Sequence, residues 1–434
     1  MVTHKAWEKN LLIKYLCPRD FRRGEMEGKM KILVLTSVYP EPDDGSEIVT
    51  PTVKYFCDKW AEQGHDIIVV HNNSCFPLPF YWIPEFVRKK MESKLGHNFP
   101  VKSARKTLIT RANGVKIFRL PLKKALPHGK FSKIRINGQI KKIENILDRE
   151  KFIPEVIISH WVNPQIDLIV KLGEKYNAKI SMVFHGDCSE KNIEKFNLIE
   201  NLKKLDAVGC RNETYANYVM KKLNLMKKPF ICYSGIPDDL AEQQMENINS
   251  LELEDSLNFI YVGRLVKYKN VDVIIRALHK KYQDKAILHI VGEGAEEAKL
   301  KQLSKDLKIE KNIIFHGQLP RDEVYKMMKK SYCFIMVSDN ETFGMVYIEA
   351  MLAGCVTIAS KAGGVDGVII DGKNGFLSKQ GDTDELVETL NRIEKESKQK
   401  VEEIRKQAVL TAYGYRDSEI AKKYLNDVLV WKNG

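Results

Sequence analysis

Short apolar runs rich in Val and Ile alternate along this chain with longer stretches whose apolar positions recur every three or four residues. The first pattern predicts buried strands and the second predicts helices laid over them, so the alternation predicts an α/β fold on parallel sheets. In the first half, strands are expected at 31–36, 67–70, 115–120, 156–159, 180–184, 207–209 and 230–233. Between the first two lies a helix with Val53, Phe56, Cys57, Trp60 and Ala61 on one face, Thr50 to cap it, Pro51 in its first turn and Gly64 to stop it. A second series is expected at 259–262, 287–291, 313–315, 333–336, 356–359 and 368–370, with helices starting near Val271, Ala295, Arg321, Phe343 and Asp384. The two series predict two Rossmann-like, doubly wound domains facing across a cleft, with ligands off the carboxyl ends of the strands. The boundaries expected are an extension over 1–29, a first domain over 30–234, a polar linker over 235–256, a second domain over 257–398, and C-terminal helices over 399–434 that cross back to the first domain.

With 434 residues, 44% apolar and 29% charged, the chain is long enough and apolar enough for about two or three domains. Eight cysteines stand singly, with no Cys-x-x-Cys pair, which argues against a zinc cage or a disulfide framework. No run has the ~18 apolar residues of a membrane span, and 1–29 has no apolar core of signal-peptide length, so a cytoplasmic location is expected. The net charge of +13 is concentrated: residues 86–143 hold 17 Lys and Arg against one acid, Glu92. Such asymmetry points to an anionic partner of the first domain.

Three motifs carry chemistry. The segment 341–349 follows an expected strand and polar loop and opens a helix, with Phe343 and Gly344 expected in its first turn. Amides at a helix start attract anions, and the carboxylates of Glu341 and Glu349 can accept hydrogen bonds from paired sugar hydroxyls. In 261–270 a strand ends at Gly263, and Arg264 and Lys269 project from the loop; two cations there suit a diphosphate and the charge it gains as a leaving group. Val291-Gly292-Glu293-Gly294 makes a tight turn that can line a nucleotide pocket, but with Glu297 in place of a third glycine it is a poor nicotinamide fingerprint. In the first half, His185 in Phe184-His185-Gly186-Asp187 and His160 in Ile158-Ser159-His160-Trp161 stand at strand ends. Imidazoles that titrate near neutral pH are candidates there.

Together with Gly363-Gly364 and Asp371-Gly372-Lys373-Asn374-Gly375, these motifs resemble the retaining family 4 glycosyltransferases of the GT-B fold, glycosyltransferase group 1. The resemblance runs from Met30 onward and is strongest in the second half. It implies a first domain that binds the acceptor and a second that binds a nucleotide sugar, UDP- or GDP-linked. Arg264 and Lys269 would hold the diphosphate, Glu349 the ribose, and Glu341 the donor sugar. The backbone of Thr342, Phe343, Gly344 and Met345 would meet sugar and phosphate, Leu319 would lie by the base, and His185 would help place the transferred sugar. The implied reaction is retaining transfer to an acceptor hydroxyl. It needs no cofactor besides the nucleotide sugar; no Asp-x-Asp triplet closes an expected strand, so no metal is expected. The chain departs from the family at 39–45, which lacks paired glycines, at Gly367 in place of the usual Glu, and at Val356 in place of the usual Pro.

The proline-broken aromatic stretch 75–84 leads into the basic block, a combination suited to an anionic bilayer interface. A lipid-linked or glycan acceptor is expected, in cell-surface polysaccharide or glycolipid biosynthesis at the inner membrane face. The competing readings are a nucleotide-sugar epimerase of the same fold and a basic nucleic-acid binder. The latter ranks low because no base-stacking motif is present, and no nucleic-acid partner is expected.

Overall fold

A computed structural model describes residues 28–40, 51–77, 81–84, 86–87, 105–124, 129–250, 257–339 and 341–431. These fall into two units. The first comprises 28–211, 215–232 and 421–431; the second comprises 212–214 and 233–420.

The first unit is an eight-stranded sheet in the order β3-β4-β2-β1-β5-β6-β7-β8. Its strands are β1 (Lys31–Thr36), β2 (Asp66–Cys75), β3 (Leu108–Ala112), β4 (Val115–Lys123), β5 (Val156–His160), β6 (Lys179–Phe184), β7 (Ala207–Cys210) and β8 (Phe230–Ile231). All neighbours are parallel except β3 and β4. Ile32–Leu35, Ile67–Val70 and Val156–Ile158 are buried along their whole length, which is why they read as unbroken apolar runs rather than alternating ones. Order reverses between β1 and β5, so the loops after these two strands flank a switch point where open α/β sheets bind ligands.

Helix Thr52–Glu62 buries Val53, Phe56, Cys57 and Trp60 as the spacing predicts. Its N-cap is Pro51, and Thr50 lies outside the described residues. Residues far downstream complete this core. The Trp60 indole N–H donates to the Ala421 carbonyl at 2.8 Å, and Tyr424 packs edge-on against Phe56.

The second unit is a six-stranded, wholly parallel sheet in the order β11-β10-β9-β12-β13-β14. Its strands are β9 (Asn258–Val262), β10 (Ile287–Val291), β11 (Ile313–Phe315), β12 (Cys333–Met336), β13 (Val356–Ser360) and β14 (Phe376–Ser378). Here the order reverses between β9 and β12, which pair at Cys333↔Phe259 and Phe334↔Ile260.

Several expectations need correction. The run 368–370 is not a strand: Val368 and Ile369 donate their N–H groups to the Val365 carbonyl in a turn, and the Asn374 side chain holds both ends of it. Its apolar character comes from burial of Val368 and Ile369, and the last strand is β14 instead. Strand β3 was not expected. It is an exposed edge, with Leu108 45% and Ile109 60% accessible, so burial leaves no pattern in it. The Asn113-Gly114 dipeptide joining it to β4 is the hairpin signal that marks it. The stretch 235–256 is not a plain linker, since it carries helix Asp238–Glu246 with Ala241, Gln244 and Met245 buried.

Candidate functional site

The site in the second unit grows out of its switch point. After β9 the backbone turns at Gly263, and Lys267–Lys269 forms one 3-10 turn before helix Val271–Tyr282. After β10 the loop folds back on this turn: Leu265 N–H donates to the Glu293 carbonyl at 2.9 Å, and Gly292 N–H donates to the Gly317 carbonyl at 2.7 Å. Gly292 is obligatory here. Its φ is 128°, and an added Cβ would run into the carbonyl oxygen of Gly263. Three strand-end loops are thereby stacked within backbone contact, and Leu319 follows Gly317 in the third.

The loop after β12 is tied to the same place. Asn270 donates its side-chain amide to the Val337 carbonyl at 2.9 Å, and Asp339 N–H donates to the Tyr268 carbonyl at 2.8 Å. Gly344 then caps helix Met345–Leu352 in the left-handed conformation, φ 78° and ψ 70°. A Cβ there would lie 2.6 Å from the Tyr347 ring, whose hydroxyl anchors the helix to the Met336 carbonyl at 2.7 Å. Phe343 and Gly344 therefore precede the helix rather than forming its first turn. The leading amide of that helix belongs to Met345, while Tyr347 N–H already donates to the Gly344 carbonyl at 3.0 Å.

Each carboxylate of the Glu341/Glu349 pair meets its own cation. Lys269, buried, donates its ammonium to Glu341. Arg321 Nε–H donates to Glu349 Oε1 at 2.9 Å, and its Nη2 lies 2.6 Å from the same oxygen. Arg264 is exposed and donates from Nη2 to the Tyr268 hydroxyl at 3.1 Å. Phe343 is buried against Tyr233 and Tyr415, so its side chain belongs to the core and only its backbone is at the site. Thr342 is exposed.

Two residues here went unremarked in the sequence. Asn212 is buried and donates its side-chain amide to the Thr342 carbonyl at 2.5 Å and to the Glu341 carbonyl at 3.2 Å, holding the loop from outside the series of elements that form it. Arg321 was read only as a helix start, because a lone arginine in an amphipathic helix looks like a solvated charge.

The first unit assembles a different group. His160 ends β5 and His185 follows β6, with His160 Nδ1 2.9 Å from His185 Nε2. The Trp161 ring stacks on His185 at 4.1 Å and 17°, from a left-handed backbone (φ 64°) that a bulky residue rarely adopts. Asp187 accepts the N–H groups of Val162 at 2.6 Å and His185 at 3.1 Å, pinning the two loops together. Burial, and then the Arg211 charge, push His160 down to about 3. Burial, then His160 and Arg211, hold His185 well below the ordinary range. Both imidazoles are neutral at physiological pH. Burial raises the Asp187 carboxyl against the backbone N–H bonds it accepts.

Of the basic block, 88–104 and 125–128 lie outside the described residues, as does 41–50 of the first loop. Arg119 is not a surface charge. It is buried, with Nη1 on Thr110 Oγ1 at 2.8 Å and Nη2 on the Pro40 carbonyl at 2.5 Å. Trp82 and Phe86, from the aromatic stretch and its edge, are 74% and 75% exposed.

A parallel sheet with anion-ready loops at its switch point, in a chain that carries a second parallel-sheet unit, defines the two-domain GT-B class. Comparison with known proteins agrees. The family model described as glycosyl transferases group 1 matches residues 243–411. Over that region, which is less than half of the chain, the protein is similar to the glycosyl transferases of this group. A curated relative, the N-acetyl-alpha-D-glucosaminyl L-malate synthase of Bacillus anthracis, is 26% identical over 57% of this chain and 65% of its own. A glycosyltransferase from Rickettsia africae superposes with a TM-score of 0.64 at 16% identity, over 92% of this chain and 99% of its own. The Anabaena protein HepE in complex with UDP and glucose superposes with a TM-score of 0.60 at 16% identity, over 91% and 98%. These two structural likenesses bear on the fold. Among the described residues, no helix is long and apolar enough to cross a membrane.

Proposed function

We propose that the protein moves a sugar from a nucleoside diphosphate sugar, UDP- or GDP-linked, to an acceptor hydroxyl with retention of anomeric configuration, as a family 4 enzyme. The observation that carries this reading is the gathering of Arg264, Lys269, Glu341, Glu349 and the Gly344-capped helix around one switch point. The UDP and glucose bound by HepE, a protein of the same fold, lend support.

The chemistry follows from charge. A diphosphate entering beside Lys269 competes with Glu341 for its ammonium, while exposed Arg264 meets the anion from solvent. As the glycosidic bond breaks, negative charge grows on the leaving phosphate, and these two cations with the Met345 amide are fixed to receive it. In this reading the cations do the leaving-group work that a metal does elsewhere. Glu341, released from Lys269, accepts from donor-sugar hydroxyls, and Glu349 accepts from the ribose. His185 helps place the transferred sugar. Incubating the protein with a panel of UDP- and GDP-sugars, with and without a chelator, tests the reading. Thermal stabilisation by one donor series and turnover that survives the chelator are expected. No stabilisation by any donor would overturn it. Donor consumed without acceptor would make the protein an epimerase instead.

The acceptor side of the reading is a lipid-linked or glycan substrate at an anionic membrane, in cell-surface polysaccharide or glycolipid synthesis. Exposed Trp82 and Phe86 in the unit that carries the basic block support it. In a flotation assay, binding to vesicles rich in anionic lipid but not to neutral ones is expected; equal binding to both would sink it.

A further inference from the structure

Helix Asp417–Val430 brings Tyr424 into the core of the first unit, where its side chain is buried between Phe56, Trp60 and Phe230. Among the described residues the phenol has one hydrogen-bond partner, His160 Nε2, at 3.1 Å. His160 passes the contact on from its other nitrogen, Nδ1, to His185 Nε2 at 2.9 Å. The chain Tyr424–His160–His185 ends at His185 Nδ1, which has no partner among the described residues.

Two neutral imidazoles and one phenol can fill this chain in two ways. If the phenol donates to His160 Nε2, His160 carries its proton on Nδ1 and donates to His185 Nε2, so His185 carries its own proton on Nδ1. In the reverse order the phenol accepts, and its O–H is left buried with nothing to bond. An unpaired buried donor costs more than a typical hydrogen bond gains, so the first order wins. Burial keeps the phenol protonated and both imidazoles neutral, as this order requires. The stacked Trp161 ring and the Asp187 bond to the His185 amide fix the ring and its backbone, leaving the proton position as the one thing for the chain to set.

We propose that Tyr424, acting through His160, is a positioning residue that fixes His185 as its Nδ1–H tautomer, so that His185 offers the transferred sugar a hydrogen-bond donor and not a proton acceptor. The assignment rests on the reading of His185 as the residue that helps place that sugar. It gives Tyr424, in a helix remote in sequence, a part in the reaction beyond packing.

Long-range proton–nitrogen correlation spectra of the full chain, labelled at histidine, read the tautomer directly. The expected wild-type result is His185 protonated at Nδ1 and bare at Nε2; protonation at Nε2, or an imidazolium, overturns the proposal whatever any variant does. Tyr424→Phe keeps the ring and its packing and removes only the donor. It should yield a mixture of both tautomers at His185 and lower turnover about tenfold, the worth of one hydrogen bond, with the donor KM held within about twofold because binding is untouched. An unaltered His185 tautomer in Tyr424→Phe overturns the role of the phenol. Full turnover in His185→Ala, with the wild-type tautomer as expected, overturns the sugar-placing reading and with it the functional half of the proposal.

Discussion

The second unit arms its switch point with ion pairs, and the first lines the ends of β5 and β6 chiefly with neutral rings, braced by the Asp187 carboxyl. In the second, Lys269 meets Glu341 and Arg321 meets Glu349 among stacked backbone loops. In the first, two uncharged imidazoles, a phenol and an indole share one chain of contacts, and nearby Asn72 and Gln165 form a buried amide pair at 2.9 Å. The same architecture is thus equipped for different chemistry: ion pairs can be exchanged for a diphosphate, whereas neutral donors and acceptors suit hydroxyls. The difference also decides how each unit fails.

The sharpest break is Lys269→Ala. It strands the Glu341 carboxylate in a largely buried position, which should cost about 3–5 kcal/mol of stability and reduce turnover by 100-fold or more, roughly. Denaturant unfolding and steady-state kinetics check it. The paired change Lys269→Met with Glu341→Leu should recover stability without activity, and recovery of both would remove the charge from the mechanism.

Next comes Gly292→Ala. The new methyl collides with the Gly263 carbonyl and forces a residue with φ 128° to carry a Cβ. A loss of about 2–3 kcal/mol and weakened nucleotide affinity by calorimetry are expected. Wild-type affinity would show that the stacked loops do not shape the nucleotide pocket.

Acid should act on the first unit. Burial lowers His160 to about 3 and His71 to about 4, while unfolded histidine titrates near 6.5, roughly. Below pH ~6.5 the unfolded chain binds protons that the folded one refuses. Stability is therefore full above that value and falls by up to about 1.4 kcal/mol per pH unit per histidine as pH drops towards the folded values. Four of the five tryptophans, Trp60, Trp82, Trp161 and Trp431, lie in this unit and Trp7 lies outside the described residues, so fluorescence of a Trp7→Phe background reports on this unit. A fluorescence-detected transition equally stable at pH 7 and pH 5 would erase the contrast.

The smallest effect belongs to Arg321→Ala. It frees Glu349 to move, and a donor KM raised about tenfold with a smaller change in kcat is expected, as when one charged contact to a bound group is loosened. An unchanged KM would detach Glu349 from the ribose.

Much of the fold was legible because parallel strands buried on both faces leave unbroken apolar runs, as in β1 and β12. What escaped had no such constraint. β3 is exposed, and Val368–Ile369 is buried without being extended. At the site, the candidates near the switch point of the second unit were readable as charged residues and glycines at strand ends. Their partners were not, since nothing local marks Asn212 as the support of a loop some 130 residues on. Tyr424 reads as one more apolar-face aromatic in a helix, and only the fold sets it against His160.

The bond from Trp60 to Ala421 joins positions 361 residues apart. Synthesis is vectorial, so strands β1 to β8 leave the ribosome long before Tyr424 and its neighbours exist to cover helix Thr52–Glu62. At about 5–20 residues per second the nascent sheet waits on the order of half a minute with an open apolar seam. The first unit, made first, is therefore the one finished last, and it is where a chaperone would find this chain.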